Sequence, residues 1–431
     1  MAPTHADPAH RLSAGMVGFG MIFDETYQPF FGADLRGRFA TPAAGPVAVS
    51  LDGVATRTGE RVTRFAQKHP HLPADRLRNC HGPDAVEALL KTGVQAVCVA
   101  TPDDRHFEPA RAVLAAGRHL LVEKPSVLSL AQLDELVALA ERNGVLAKVV
   151  YHKLADPDHK KLRTLVADGV LRHVNNGYCS LLEPKAISGG QFSEWIRGRN
   201  PATYVAVHYL KLIDFSFGPD WALSRISATG QRGIVGPADG PTWDSVQLQV
   251  VYTHPDQREA AFDIHTSWVT PDNFPGYVEQ EVQFRFDNAV WCAHQRKRGV
   301  ELTVEGRTPH DLKNTPNYHY NGTFLEPWGE RSQRGYGVEV IERFFREVAH
   351  VEFGGPAGER PDRLRTMRGL TYNDLAADRN CVAIVQALEA ILARAAAGRP
   401  GCSVRVNDPA GGLVLVEPGR AETQVLYPGR V

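Results

Sequence analysis

The chain has 431 residues, more than one compact hydrophobic core usually supports, so we expect two domains. Its 43% hydrophobic and 23% charged residues are typical of a globular protein, and no apolar run reaches membrane-spanning length. The 48 Lys+Arg balance the 49 Asp+Glu, so no net field would recruit nucleic acid or an anionic membrane.

Three further features concern the compartment and metals. The first residues, MAPTHADPAHRLS, lack the apolar core of a signal peptide. The six cysteines are scattered without a CxxC pair, which favours reduced thiols and a cytoplasmic protein. The seventeen histidines show no HExxH or similar ligand spacing, so we expect no metal.

The first 150 residues alternate between strand and helix patterns. Strands are predicted at 14–19, 47–51, 77–80, 96–100, 119–122 and 145–151, and helices at 25–39, 60–67, 84–91, 107–116 and after Ser129. Such alternation predicts a parallel, doubly wound sheet. The short apolar strand His119–Val122 ends at Glu123-Lys124-Pro125, which places Lys124 at the sheet edge where ligands bind. The alternative is a solvated lysine beside a turn.

After Asp156-Pro157 the pattern changes to long alternating runs without intervening helices. Strands are predicted at 175–182, 224–231, 245–252, 260–268, 279–286 and 290–296, and helices at 158–167, 202–217, 338–349 and 373–396. Alternation of this kind indicates an antiparallel sheet with one covered face. We therefore predict an α/β protein with a Rossmann domain at 1–150 and a second α/β domain at 151–431, with a Gly/Pro-punctuated tail from Arg399.

The turn after the first strand carries a glycine pair, Gly18-Phe19-Gly20. Two such glycines let a dinucleotide pyrophosphate approach the backbone, so we expect Gly18, Phe19, Gly20, Met21 and Ile22 to hold the cofactor. The third glycine of the usual fingerprint is absent, because Phe23 stands there. A plain tight turn is the alternative interpretation.

Asp52 is expected to choose the cofactor. It is predicted to end the second strand, where a carboxylate bonds both adenosine ribose hydroxyls, and this favours NAD. A turn aspartate before Gly53 is the alternative. Arg57 and Arg61 follow closely enough to leave NADP possible.

A longer stretch carries a family resemblance. Thr101-Pro102, His106, Ala115–Gly117 and Glu123-Lys124-Pro125 stand at the spacing of the glucose-fructose oxidoreductase/inositol dehydrogenase (Gfo/Idh/MocA) family, which this chain resembles. The resemblance implies a Rossmann domain, a second domain whose open sheet makes oligomer contacts, Thr101-Pro102 and His106 along the cofactor, and Lys124 beside the nicotinamide and substrate. It further implies an often cis Lys-Pro peptide. Glu123 is expected to orient the backbone or the cofactor amide.

The resemblance also points to residues of the second domain. His208 and Gly218 keep the family spacing, although Tyr204 replaces an Asp and Leu154 an Arg. Tyr204 and His208 are one helical turn apart and share a face. His208 can take or give the proton of the substrate hydroxyl, and Tyr204 can hydrogen-bond but does not supply the charge of a carboxylate. A buried core histidine is the alternative. Expected substrate contacts are His152, Lys153, Lys185, Trp195 and Arg197, with Lys124 and His208.

These features together predict an NAD(P)-dependent oxidoreductase of a sugar, cyclitol or related polyol derivative, with catalysis by Lys124, His208 and Tyr204. Two alternatives stay open. One is an NAD-assisted glycoside hydrolase or lyase, and the other is a non-catalytic NAD-binding regulator. We expect a homodimer or homotetramer, because the predicted helices are too few to cover both faces of the second sheet.

Overall fold

The computed structural model describes residues 9–73, 75–186, 196–218, 220–273, 278–294, 299–304, 313–316, 322–325, 331–370, 373–407 and 411–429. The chain divides into two compact units. The first comprises Met1–Val127, Gln132–His152 and Asn321–Asp378, and the second comprises Leu128–Ala131, Lys153–Tyr320 and Arg379–Val431.

The strands in the described ranges are β1 His10–Val17, β2 Arg36–Thr41, β3 Gly45–Thr56, β4 Arg78–His81, β5 Ala96–Val99, β6 His119–Val122, β7 Ala147–Val149, β8 Val174–Pro184, β9 Ala222–Gln231, β10 Ser245–Thr253, β11 Glu259–Thr270, β12 Glu279–Phe286, β13 Ala289–His294, β14 Gly299–Val304, β15 Lys313–Pro316, β16 Gly322–Leu325, β17 Arg331–Arg334, β18 Ser403–Asn407, β19 Gly412–Val416 and β20 Thr423–Tyr427. The α-helices there are α1 Gln28–Phe31, α2 Glu60–Lys68, α3 Ala85–Leu90, α4 Phe107–Ala115, α5 Leu130–Arg142, α6 His152–Ala155, α7 Pro157–Ala167, α8 Val207–Phe217, α9 Tyr336–Phe353, α10 Arg360–Leu370 and α11 Arg379–Ala396. Two π-helical turns, Phe23–Tyr27 and Ala202–Ala206, lead into α1 and α8.

The first unit is built on a sheet of order β2-β3-β1-β5-β6-β7, with β4 also paired to β3. Its neighbours are parallel except β2, which runs antiparallel to β3. Strands β5 and β6 are buried along their whole length, which explains their uninterrupted apolar sequences. Val17, Val99 and Val122 pair in register, so the residues that follow β1, β5 and β6 emerge side by side at one sheet edge.

The second unit is built on an eleven-stranded sheet of order β15-β14-β13-β12-β8-β11-β10-β9-β18-β19-β20. Its pairs are antiparallel except β8 with β11. Alternation is clear in β11, where Phe262 and Ile264 are buried and Asp263 and His265 are half-buried. Helix α11 packs against β9, β18 and β19, and residues 202–206 pack against β8, β10 and β11.

The predicted α/β class, with a parallel sheet followed by a mostly antiparallel one, is confirmed. Several local predictions are wrong. A helix predicted at 25–39 ends at Phe31 and gives way to strand β2, and the helix predicted from residue 373 begins at Arg379. The Gly/Pro-punctuated tail after Arg399, for which no strand was predicted, contains β18–β20, which extend the second sheet.

The unit boundary also differs from the expected division at residue 150. Residues 128–131 already belong to the second unit, the chain leaves the first unit again after His152, and the segment Asn321–Asp378 returns to it. Its helix α9 packs there against α1 and β2, with Phe345 stacked on Phe30 at 5.1 Å between ring centroids. The apolar face of α9 is therefore satisfied by the first unit rather than by the second sheet.

The described residues contain neither a candidate membrane span nor a candidate metal cluster. None of the helices there is both long and apolar enough to cross a membrane. Within the same ranges, no group of three or more His, Cys, Asp or Glu side chains is arranged to hold a metal ion.

Candidate functional site

The turn after β1 has the geometry that the glycine pair predicts. Gly18 has φ +90°, and a Cβ there would stand 2.3 Å from the carbonyl oxygen of Ala100, so only glycine fits. A Cβ at Gly20 would meet no heavy atom of the described chain within 4 Å. The backbone at Gly20 is therefore open to a ligand, as a dinucleotide pyrophosphate requires.

The missing third glycine has a packing reason. Phe23 is fully buried and stacks on Phe19 with ring centroids 3.9 Å apart, while Phe65 of α2 packs edge-on against both rings. This aromatic cluster fills the space between the turn and α2. Phe19 therefore offers a ligand its backbone rather than its buried side chain.

Asp52 does not lie where a ribose-binding carboxylate is expected. Strand β3 continues to Thr56, and the β1–β3 register skips Asp52 at a bulge. Its carboxylate accepts hydrogen bonds from Ser13 Oγ at 2.5 Å and Ser50 Oγ at 2.9 Å, and it pairs with Arg76 at 2.8 Å. The predicted role of Asp52 is therefore wrong, because the chain itself occupies this carboxylate.

The Glu123-Lys124-Pro125-Ser126 loop, which follows β6, is anchored on both sides of Lys124. Glu123, Pro125 and Ser126 are buried, whereas Lys124 is half-exposed. The Lys124–Pro125 peptide is cis. Burial of the residues on both sides fixes the loop backbone and leaves the half-exposed Lys124 at the sheet edge.

Glu123 is held by a residue that the sequence did not single out. The hydroxyl of Tyr27 donates to Glu123 Oε1 at 3.0 Å, and both side chains are buried. Burial raises the pKa of Glu123 to about 7, although Lys124 and the Tyr27 hydrogen bond act in the opposite direction. No motif marks Tyr27, which lies in a π-helical turn.

His106 ties two loops together. Its Nδ1 lies 2.8 Å from the carbonyl oxygen of Pro125 and its Nε2 lies 2.8 Å from that of Thr101. The ring is 1% exposed, and burial lowers its pKa. A direct cofactor contact by this side chain is therefore contradicted; His106 positions Thr101-Pro102 and the Lys124 loop instead.

In the second unit, the helix that carries His208 shows one open face. Across residues 201–213 every side chain is buried except those of Tyr204 and His208, which are half-exposed. The helix start is fixed by Asn200, whose Oδ1 accepts from Thr203 N at 2.8 Å and whose Nδ2 donates to Glu389 at 2.9 Å. His208 is thus half-exposed rather than fully buried, and a π-helical turn, common at functional sites, precedes it.

The other expected substrate residues differ in their surroundings. His152 is half-exposed, and Lys185 and Arg197 are exposed. Lys153 is only 6% exposed, so its side chain is poorly placed for a substrate contact. Leu154 is also buried, at 2% exposure. Trp195 lies outside the described residues.

Comparison with known proteins gives a family match to residues 12–151, described as the oxidoreductase family with an NAD-binding Rossmann fold (GFO_IDH_MocA). An uncharacterized oxidoreductase of Escherichia coli, YdgJ, is 40% identical over 81 residues, which are 19% of this chain and 23% of that protein. The scyllo-inositol 2-dehydrogenase (NADP(+)) IolU of Bacillus subtilis is 29% identical over 143 residues, 33% of this chain and 42% of that protein. The chain thus spans less than half the length of either relative.

Among solved structures, an inositol dehydrogenase homolog from Azotobacter vinelandii, complexed with NAD+, matches with a TM-score of 0.67 and 20% identity. The match covers 92% of this chain and 98% of that one, so the shared fold extends over both units. The motif resemblance and the family match agree on the same residues. Residues 12–151 are therefore similar to the Gfo/Idh/MocA oxidoreductase family both in their motifs and in the family match.

Proposed function

We propose that the protein is an NAD(P)-dependent oxidoreductase that transfers a hydride between nicotinamide and a secondary hydroxyl carbon of a sugar, cyclitol or related polyol derivative. The observation that carries the proposal is Lys124, half-exposed in a loop whose flanking residues are buried and hydrogen-bonded. The relatives named for inositol dehydrogenation support the substrate class.

The cofactor is assigned to the first unit because its turn fits one. The open backbone at Gly20 and the close approach of Gly18 to Ala100 form a cradle that a side chain would fill. We assign the pyrophosphate to the backbone of Gly18–Ile22 and the nicotinamide side to Thr101-Pro102 and Glu123. When bound, NAD(P) supplies the hydride acceptor or donor.

The protein's own chemistry is proton handling at the reacting oxygen. We assign to His208 the removal of the hydroxyl proton during oxidation and its return during reduction. Lys124 stabilises the negative charge that develops on that oxygen, and Tyr204 hydrogen-bonds on the same helix face. A tyrosine carries no negative charge at neutral pH, so His208 lacks the carboxylate support that an Asp would give.

Substitution of the two residues tests the mechanism. Lys124→Ala and His208→Ala should each lower kcat by about two to four orders of magnitude, with little change in cofactor affinity. The double variant should be little worse than the weaker single one, since groups serving one transition state fail together. Normal turnover of sugars and cyclitols by Lys124→Ala, followed at the nicotinamide absorbance, would overturn the assignment. Cofactor that remains bound throughout turnover and is reduced only transiently would favour the hydrolase or lyase alternative.

For the choice of cofactor, the surroundings of Asp52 remove the reason to favour NAD. Strand β3 ends at Thr56, and Arg57 follows with an exposed side chain at the position from which an arginine accommodates a 2′-phosphate. We therefore propose a preference for NADP(H). Arg57→Ala should weaken NADP(H) binding about tenfold in calorimetric titration and leave NAD(H) binding unchanged. Arg64→Ala, an equally exposed arginine on α2, is the control, and tighter NAD(H) binding by the wild type would contradict the proposal.

We also propose a homodimer or homotetramer. The second sheet has half-buried polar side chains on the face opposite its core, among them Tyr178, Asp263, His265 and Gln283. A surface of this composition suits a partly polar subunit contact. Light scattering that gives the monomer mass at micromolar concentration would contradict this.

A further inference from the structure

The carboxylate of Asp378 is buried and bound by two hydroxyl groups at the edge of the first sheet. Ser126 Oγ donates to Asp378 Oδ2 at 2.5 Å, and the hydroxyl of Tyr151 donates to Oδ1 at 2.6 Å. All three side chains are at most 1% exposed. Hydrogen bonds to a carboxyl group in such buried surroundings are strong, so the three groups form one rigid unit.

Asp378 reaches this position because its segment is attached to strand β7. Val149 N donates to the carbonyl of Asn373 at 2.8 Å, and Asn373 Nδ2 donates back to the carbonyl of Val149 at 3.2 Å. Asp374 continues the contact through a bridge and an ion pair of 3.1 Å with the buried Lys148. These bonds extend the sheet by a short edge and carry the chain to the carboxyl ends of β6 and β7.

The two hydroxyl donors belong to the two loops that leave these strand ends. Ser126 follows Lys124 by two residues, across Pro125, and Tyr151 directly precedes His152. Both donors are buried, at 0% and 1% exposure. Loss of their shared acceptor would therefore remove a hydrogen bond from each hydroxyl group at a place where water cannot replace it. The loop backbone would then be free to shift, and a displacement of about 1 Å of a catalytic group is enough to lower a rate about a hundredfold.

We propose that Asp378 is a positioning residue that fixes the backbone on which Lys124 stands. The proposal rests on the proposed function for its kinetic consequence, but the placement of Lys124 can be measured without turnover. Asp378 touches neither the substrate nor the cofactor in this assignment; it acts through Ser126 and Tyr151.

The experiment compares Asp378→Ala, Asp378→Asn and the control Asn373→Ala in the full chain. Asn373→Ala removes a side-chain hydrogen bond between the same segment and β7 without touching either hydroxyl, so it reports general loosening of the segment. Acetic anhydride labelling at a series of pH values, read by peptide mass spectrometry, gives the apparent pKa and reactivity of Lys124. The exposed Lys68 serves as the internal reference.

We expect Asp378→Ala to change the labelling rate of Lys124 at least threefold relative to Lys68 and to lower kcat by about ten- to a hundredfold, with KM for the cofactor unchanged. Asp378→Asn should restore part of both, because an amide still hydrogen-bonds to hydroxyl groups without the charge. Wild-type values for Asp378→Ala, or equal effects of Asn373→Ala, would overturn the proposal.

Two further results keep the test decisive. If Asp378→Ala does not fold, Ser126→Ala and Tyr151→Phe each remove one donor, and unchanged Lys124 labelling in both would overturn the proposal. If the wild type oxidises no polyol, the proposed function fails, and the labelling result alone still decides whether Asp378 positions Lys124.

Discussion

Glu123 offers a prediction whose sign and size follow from its surroundings. Burial raises the pKa of this carboxyl from its ordinary value of 4.5 to about 7. Between these two values the folded chain holds a proton that the unfolded chain releases, so stability is fully present below pH 4.5 and falls as the pH rises to about 7. The difference corresponds to about 3 kcal/mol of unfolding free energy.

Glu123→Gln isolates this effect. A glutamine has nearly the same shape, can still accept the Tyr27 hydrogen bond and does not ionise. The stability of the variant relative to the wild type should therefore improve between pH 5 and pH 8, by an amount approaching about 3 kcal/mol. Urea unfolding of both proteins at each pH, followed by circular dichroism, measures this difference, and groups titrating elsewhere cancel.

Tyr27→Phe is the matched control for the direction of the shift. It keeps the ring and the carboxyl but removes a hydrogen bond that lowers the pKa of Glu123, so the transition should move to higher pH. A difference in unfolding free energy between wild type and Glu123→Gln that stays constant across this pH range would refute the reasoning.

Two other predictions concern the first unit. Gly18→Ala should destabilise the fold by about 1–3 kcal/mol or more, because its Cβ would meet the Ala100 carbonyl at a positive φ. Gly20→Ala should keep the melting temperature of the wild type and weaken cofactor binding. Equal melting temperatures of the two variants would contradict this. His119 accepts from Leu146 N at Nδ1 and contacts Glu352 through Nε2, and burial lowers its pKa, so the unfolded chain binds more protons just below pH 6.5. His119→Gln should therefore lose less stability than the wild type when the pH falls from 7 to 5.5, as urea unfolding would show.

Alternating patterns predicted the second sheet well, because a strand with one buried face alternates between apolar and polar residues. The strand predicted at 279–286 is β12, and the two residues Asp287-Asn288 join it to β13. Strands β18–β20 were missed for a physical reason. They have five residues each among glycines and prolines, and they are stabilised by pairing along the edge of a large sheet rather than by local preference.

At the candidate site, the motifs located the backbone and missed the side chains that hold it. Gly18, Gly20 and Lys124 could be found because turn geometry and strand ends leave local signals. The prediction for Asp52 is wrong because it places the strand end at Asp52, whereas β3 bulges there and continues to Thr56. Tyr27 carries no such signal, since its contact with Glu123 spans 96 residues.

The return of α9 and Asp378 to the first unit has a consequence for synthesis on the ribosome. When His152 has been made, this unit still lacks the helix that covers Phe30 and the segment that extends β7. More than two hundred further residues separate it from completion, or roughly 10–45 s at about 5–20 residues per second. During that interval the nascent first unit exposes apolar surface, so a fragment ending at residue 152 should need a chaperone, or the fused segment 321–378, to remain in solution.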